Sequence, residues 1–212
     1  MGREILVVKR DILFREGDFQ GFVGIDFRNF IEIILKNFIY KNRDDVEYNP
    51  EWQQPIPYVW IVNPKTKKLF TYKRASDKNY NDQRLRDKWS CGIGGHIDRE
   101  DVEDPIINAM MRELCEEVVM GFYPEPKIVG YINDDSDSVG KVHFGIVAIV
   151  ETGDVVEKGD DEMAEGRFMS IQEIEKLLGN PENDIETWTR LSWSFVKNYL
   201  NGNELKDKLL EK

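Results

Sequence analysis

The stretch GGHIDREDVEDPIINAMMRELCEEVVM, Gly94 to Met120, governs how the rest of the chain is read. It opens on two glycines, crosses an acidic loop and enters a helical pattern at Asp104-Pro105. An aspartate suits the N-cap because its carboxylate accepts from a first-turn amide, and proline suits the first helical position, where no N–H is needed. Ile107, Met110, Met111, Leu114 and Val118 recur at spacings of three and four, which predicts a helix from Pro105 to Met120 with an apolar face. Glu113, Glu116 and Glu117 fall on the other face at i, i+3 and i+4, with Cβ atoms about 5–6 Å apart. Like charges at that spacing weaken an isolated helix, and Arg112 is the only basic residue beside them. A hard divalent cation, Mg2+ (or Mn2+), would offset the repulsion because it takes carboxylate oxygens. A solvated acidic face is the plainer alternative.

Outward from this helix, the chain alternates strand and helix patterns. EILVVKRDILF reads as one or two strands with a turn at Lys9 to Asp11. Phe27, Phe30, Ile31, Ile34, Leu35 and Phe38 predict a helix from Asp26 to Tyr40, with Asp26 as its cap. KNRDDVEYNPEWQQP reads as a polar linker. Tyr58 to Val62 and Leu69 to Lys73 predict a hairpin turned by Asn63, Pro64 and Lys65. KIVGYIND and KVHFGIVAIVE form a second strand pair, the latter apolar enough to be covered on both faces. GRFMS is a short strand. Ser170 and Glu173 make a capping box for IQEIEKLLG. Asp184 to about Leu200 is a last amphipathic helix. The predicted division is an N-terminal extension over residues 1–50, packed on a domain over 51–212.

The chain has 212 residues, 41% of them hydrophobic and 33% charged, which is a globular rather than a disordered composition. A net charge of −11 argues against nucleic acid as a partner, since a basic surface supplies most non-specific affinity. No apolar run reaches the roughly 18 residues that span a bilayer, so no membrane partner is expected. The charged N-terminus does not resemble a signal peptide. Cys91 and Cys115 form no metal-binding pair, and a reducing cytoplasm is the expected compartment. The aromatic extensions could serve a homodimer.

Arg112-Glu113-Leu114-Cys115-Glu116-Glu117-Val118, preceded by GGHID, resembles the Nudix box. That box runs Gly, five residues, Glu, seven residues, then Arg-Glu-U-x-Glu-Glu-x-Gly-U, where U is a bulky aliphatic. The resemblance covers roughly Ile56 to Leu178, with hairpin, glycine turn, helix, strand and late helix in the family's order. QQPIPYVWI, TYKRASDK and SCGIGGHID are similar to a MutT-related subgroup of predicted phosphoesterases. The resemblance implies an α/β (α+β) fold, the Nudix α/β/α sandwich with a mixed sheet. It also implies Mg2+-dependent hydrolysis of a phosphorylated or diphosphate-linked small molecule. Glu113, Glu116 and Glu117 would be the metal ligands, Arg112 would orient them, and Gly94 and Gly95 would allow the tight loop ahead of the helix.

Two positions depart from the box. Its helix-leading acid falls at Asp101 counting forward from Gly95 and at Asp104 counting back from Arg112, a loop three residues longer. Its glycine after the glutamates is Val119, with Gly121 two places on. A further acid from a loop often assists in this family, and Glu162 or Glu165 could fill that place. Lys73, Arg74, Arg84 and Arg86 could receive phosphate or be ordinary surface charge. His96 reads as a brace for the turn and His143 as a satisfied core histidine. Two other functions compete. One is an isomerase of the isopentenyl diphosphate type, which would need a reactive Cys91. The other is a non-catalytic module that binds a nucleotide or a protein.

Overall fold

Ile5, Leu6, Val7 and Val8 form an unbroken aliphatic run, and all four are buried in the first strand. The computed structural model describes residues 2–76, 86–159 and 163–202. In chain order these hold β1 (Glu4–Lys9), α1 (Arg10–Leu13), β2 (Gly21–Gly24), α2 (Phe30–Asn37), β3 (Ile39–Asn42), α3 (Arg43–Val46), β4 (Trp52–Asn63) and β5 (Lys68–Arg74). There follow β6 (Trp89–Ser90), β7 (Gly92–Ile93), α4 (Pro105–Glu117), β8 (Val118–Val119), β9 (Lys127–Asn133) and β10 (His143–Glu151). The last are β11 (Glu157–Lys158), β12 (Met163–Ser170), α5 (Ile171–Gly179) and α6 (Thr187–Leu200). This is a mixed α+β fold. The chain gathers into two compact units, one of Met1–Val59, Ile93–Glu116 and Glu125–Val150, the other of Trp60–Gly92, Glu117–Pro124 and Glu151–Lys212.

In the first unit β9 lies between β2 and β10, antiparallel to both, with Tyr131 opposite Val23 on one side and Ile146 on the other. Phe14, Phe19, Phe30, Tyr131 and Phe144 cluster against this ladder, and the Phe30 ring centroid lies 5.0 Å from those of Tyr131 and Phe144. β10 is buried from His143 to Val150, as its apolar composition predicts. β1 pairs with β3 and, at its end, with the start of β4.

Three expectations for this unit change. The second half of EILVVKRDILF is the short helix α1, not a second strand. Helix α2 is capped by Asn29, whose side chain accepts the Glu32 amide at 3.1 Å, and not by Asp26. It ends before Ile39, because Ile39 to Asn42 pair with β1 and that ladder satisfies backbone groups a longer helix would also claim. The polar stretch after it is not a linker: Asn42 caps α3, and Val46 is buried with Ile5 and Val7.

In the second unit the predicted hairpin forms, with Val62 opposite Leu69 and Asn63 opposite Lys68. The Asn63 side chain accepts from the amides of Lys65 and Thr66, both at 3.1 Å. β5 also pairs with β12 and β6. The capping box at Ser170 and Glu173 is present, and Trp193 of α6 stacks on Trp60. Here β8 pairs with β11, Val118 opposite Lys158, so the helical pattern predicted to Met120 stops at Glu117. Among the described residues no helix is long and apolar enough to cross a membrane.

Candidate active site

Helix α4 starts where Asp104 accepts the Ile107 amide at 3.2 Å. Two turns on, Arg112 is the hub of a carboxylate network. Its Nε donates to Asp101 Oδ1 and its Nη2 to Asp101 Oδ2, both at 3.0 Å. Nη1 donates to Glu113 Oε1 at 2.7 Å and to Glu116 Oε2 at 3.2 Å. Nη2 also donates to the His96 carbonyl at 2.9 Å, which ties the glycine turn to the helix. Burial alone would lower the pKa of Arg112, but the hydrogen bonds and charges of Asp101 and Glu113 outweigh it and raise it. Arginine suits this place because its planar fork gives several donors with fixed directions.

The two candidate positions for the box's leading acid therefore divide two roles. Asp101 is 5% exposed and grips Arg112, while its Oδ2 also accepts the Asp98 amide at 2.8 Å. Asp104 caps the helix. The longer loop accommodates both, with Glu103 at φ 66°.

The glutamates differ in environment. Glu113 and Glu117 are 7% and 9% exposed, whereas the Glu116 side chain is 57% exposed. Burial pushes the Glu113 carboxyl upward, opposed by the neighbouring Arg112. The glycine turn is pressed close: a Cβ on Gly95 would lie 2.5 Å from Glu113 Oε1, and one on Gly94 would lie 1.8 Å from the Pro57 carbonyl oxygen. At Gly94 the neighbour is backbone, so only a residue without a side chain fits, whereas at Gly95 it is the movable end of the Glu113 side chain. One guanidinium thus serves Asp101, Glu113 and Glu116 together. The donor set is oxygen-rich and short of positive charge, which fits a hard divalent cation.

Other singled-out residues fall elsewhere. Arg74 is buried and ion-paired with Glu186 at 2.5 Å, in a network that includes Ser90, so it is a structural cation. Arg86 donates to the Ser76 carbonyl. Lys73 is half-buried on β5, and Arg84 and Glu162 lie outside the described residues. Glu165 is exposed on β12 and pairs with Arg167 at 3.3 Å. His96 braces its turn, its Nε2 lying 2.7 Å from Gln54 Oε1, and buried His143 bonds the Val139 carbonyl through Nδ1 at 2.7 Å. Cys91 is buried beside Thr71 with its thiol pushed up to about 12, while Cys115 is exposed. Burial of that kind makes Cys91 a poor nucleophile, against the isomerase alternative.

Sequence reading missed Asp98, Arg3 and Gln54. Arg3 holds Asp98 through two bonds of 2.7 Å, and Asp98 stands 3.7 Å from Arg112. Nothing in the sequence links residues so far apart, and no motif marks them.

Comparison with known proteins places the chain in a family. Residues 52–190 match the NUDIX domain family, and the chain belongs to it. It is 33% identical over 202 residues to protein YmaB of Bacillus subtilis (strain 168), covering 90% of this chain and 95% of that one. The crystal structure of Tm1382, a candidate Nudix hydrolase, superposes with a TM-score of 0.76 at 27% identity, covering 92% of this chain and 99% of that one. The chain is accordingly a Nudix-type phosphohydrolase with the fold its sequence predicts. Enzymes of this family generally use divalent metals and act on small-molecule phosphates.

Proposed function

We propose that the enzyme hydrolyses a phosphorylated or diphosphate-linked small molecule, such as a nucleoside diphosphate derivative, with Mg2+ (or Mn2+) held by Glu113, Glu116 and Glu117. The observation that carries this is the carboxylate cluster of α4, in which buried Glu113 and exposed Glu116 share a single guanidinium group. When bound, the ion supplies a Lewis acid for a phosphoryl oxygen and eases ionisation of a water. Arg112 acts through the carboxylates: by donating to two of them it sets their directions, and Asp101 in turn fixes the guanidinium. Gly94 and Gly95 keep the loop low against Glu113. In this reading residues 1–50 are an extension and residues 51–212 the hydrolase domain. Both cysteines are free, which suits a reducing cytoplasm.

The test is a phosphate-release screen over nucleoside diphosphate derivatives, nucleotides and phosphorylated metabolites, with and without Mg2+. Turnover of at least one class, dependent on Mg2+ or Mn2+ and lost in Glu116→Gln, is expected. Equal turnover with excess chelator would overturn the metal assignment.

A further inference from the structure

A second set of ligating groups does not include the α4 glutamates. Glu47 just after α3, His96 in the glycine turn and His143 at the head of β10 converge, each offering one ligating atom within 4.8 Å of those of the other two. The two ring centroids are 5.5 Å apart. His96 and His143 are 8% and 6% exposed, and the Glu47 side chain is 12% exposed.

Hydrogen bonding sets the tautomer of each ring. The Gln54 amide nitrogen donates to the Val46 carbonyl at 3.3 Å, so its oxygen faces His96 Nε2, which must carry the proton. His143 Nδ1 faces the Val139 carbonyl, which can only accept, so Nδ1 carries that proton. The remaining nitrogens, His96 Nδ1 and His143 Nε2, are the ligating atoms, and a metal at His143 Nε2 would displace any proton held there. A ring that donates one N–H to a carbonyl and offers its other nitrogen is the usual state of a metal-ligating histidine.

The geometry points to a Zn2+ site formed by Glu47, His96 and His143. Two imidazoles and one carboxylate suit a borderline ion such as Zn2+, which would take water as its fourth ligand; Mg2+ prefers an all-oxygen set. Zinc bonds of about 2.0–2.1 Å require each side chain to close inward by less than about 1 Å. The guanidinium groups nearby are already matched: Arg43 with Glu47, Arg3 with Asp98, and Arg112 with Asp101 and Glu113. Glu47 precedes residues 52–190, so the site is not a feature of the family match. An ion there ties the turn after α3 to the glycine turn whose His96 carbonyl holds Arg112.

The test uses the full chain, free of any affinity tag and stripped with chelator, then titrated with Zn2+ and with Co2+ as a visible reporter. The expected result is one retained Zn2+ per chain, a four-coordinate Co2+ spectrum and a Tm raised by roughly 5 °C at a hundredfold excess over Kd. Affinity should fall at least about tenfold in His143→Gln and in Glu47→Gln, and stay unchanged in Glu116→Gln. Glu47→Gln keeps the test valid if His143→Gln fails to fold. Failure to retain Zn2+, or loss of binding in Glu116→Gln but not in Glu47→Gln, would overturn the site and leave the hydrolase reading untouched. In Glu116→Gln, where the α4 site is disabled, Mg2+ at the same concentrations should give neither effect, and a matching Tm rise with Mg2+ there would overturn the zinc assignment.

Discussion

Arg112 grips Asp101 through two parallel hydrogen bonds, Nε to Oδ1 and Nη2 to Oδ2, each 3.0 Å long. A two-point pair fixes the plane of the guanidinium as well as its position. That plane in turn aims Nη1 at Glu113 and Glu116. Asp101→Asn should therefore lower kcat about 10- to 100-fold, by analogy with other groups that orient metal ligands. Asp104→Ala should instead cost about 1 kcal/mol of stability through the lost cap and leave kcat near wild type. Phosphate release and thermal melting separate the two effects. The reverse pattern would make Asp104 the box's leading acid.

Glu116 offers the cleanest test of the metal reading because its side chain is 57% exposed. Glu116→Gln should leave Tm unchanged, since an exposed pair with Arg112 contributes little. It should lower kcat at least about 100-fold, equivalent to several kcal/mol of transition-state stabilisation. A variant with wild-type turnover at saturating Mg2+ would remove Glu116 from the site.

The two glycines should fail in different ways. A Cβ on Gly94 meets the Pro57 carbonyl oxygen at 1.8 Å, and backbone cannot step aside. Gly94→Ala should destabilise the fold by about 3 kcal/mol or more. A Cβ on Gly95 meets only the end of the Glu113 side chain, at 2.5 Å. Gly95→Ala should fold and raise the Mg2+ concentration needed for half-maximal activity. A folded Gly95→Ala enzyme with an unchanged Mg2+ requirement would show that the turn does not position Glu113.

Cys91 gives a pH-dependent prediction. Burial lifts its thiol from 9.0 to about 12, with Thr71 opposing. Between those values the unfolded chain loses the proton while the folded chain keeps it. The stability from this group is full below pH 9 and falls as pH rises through the window. Buried Tyr72, also shifted upward, acts in the same direction. Chemical denaturation should show declining stability above pH 9. Iodoacetamide at pH 8 should modify exposed Cys115 alone in the native chain and both thiols after unfolding; native modification of Cys91 would refute the burial argument.

Much of the fold was legible in local pattern. The amphipathic spacing of α4, the Asn63 turn and the Ser170 capping box all act within a few residues, so the chain carries their physics locally. Element ends were less legible. Helix α2 stops before Ile39, and α4 stops at Glu117, because distant strands β1 and β11 claim the residues beyond. A helical pattern carries no record of that competition.

The sequence by itself determined the glutamate face, the arginine beside it and the glycine turn before it, because all three follow from spacing along one short segment. It left the loop ambiguous between Asp101 and Asp104. Tertiary structure alone gave the two their contacts, Asp101 on Arg112 and Asp104 on the first turn of α4, since Asp101 faces Arg112 only once the longer loop folds back on the helix. It alone also brought Arg3 to Asp98 and gathered Glu47, His96 and His143. Hydrogen bonds and metal ligation depend on distances in space, and residues so far apart in the chain acquire those distances only when the fold closes.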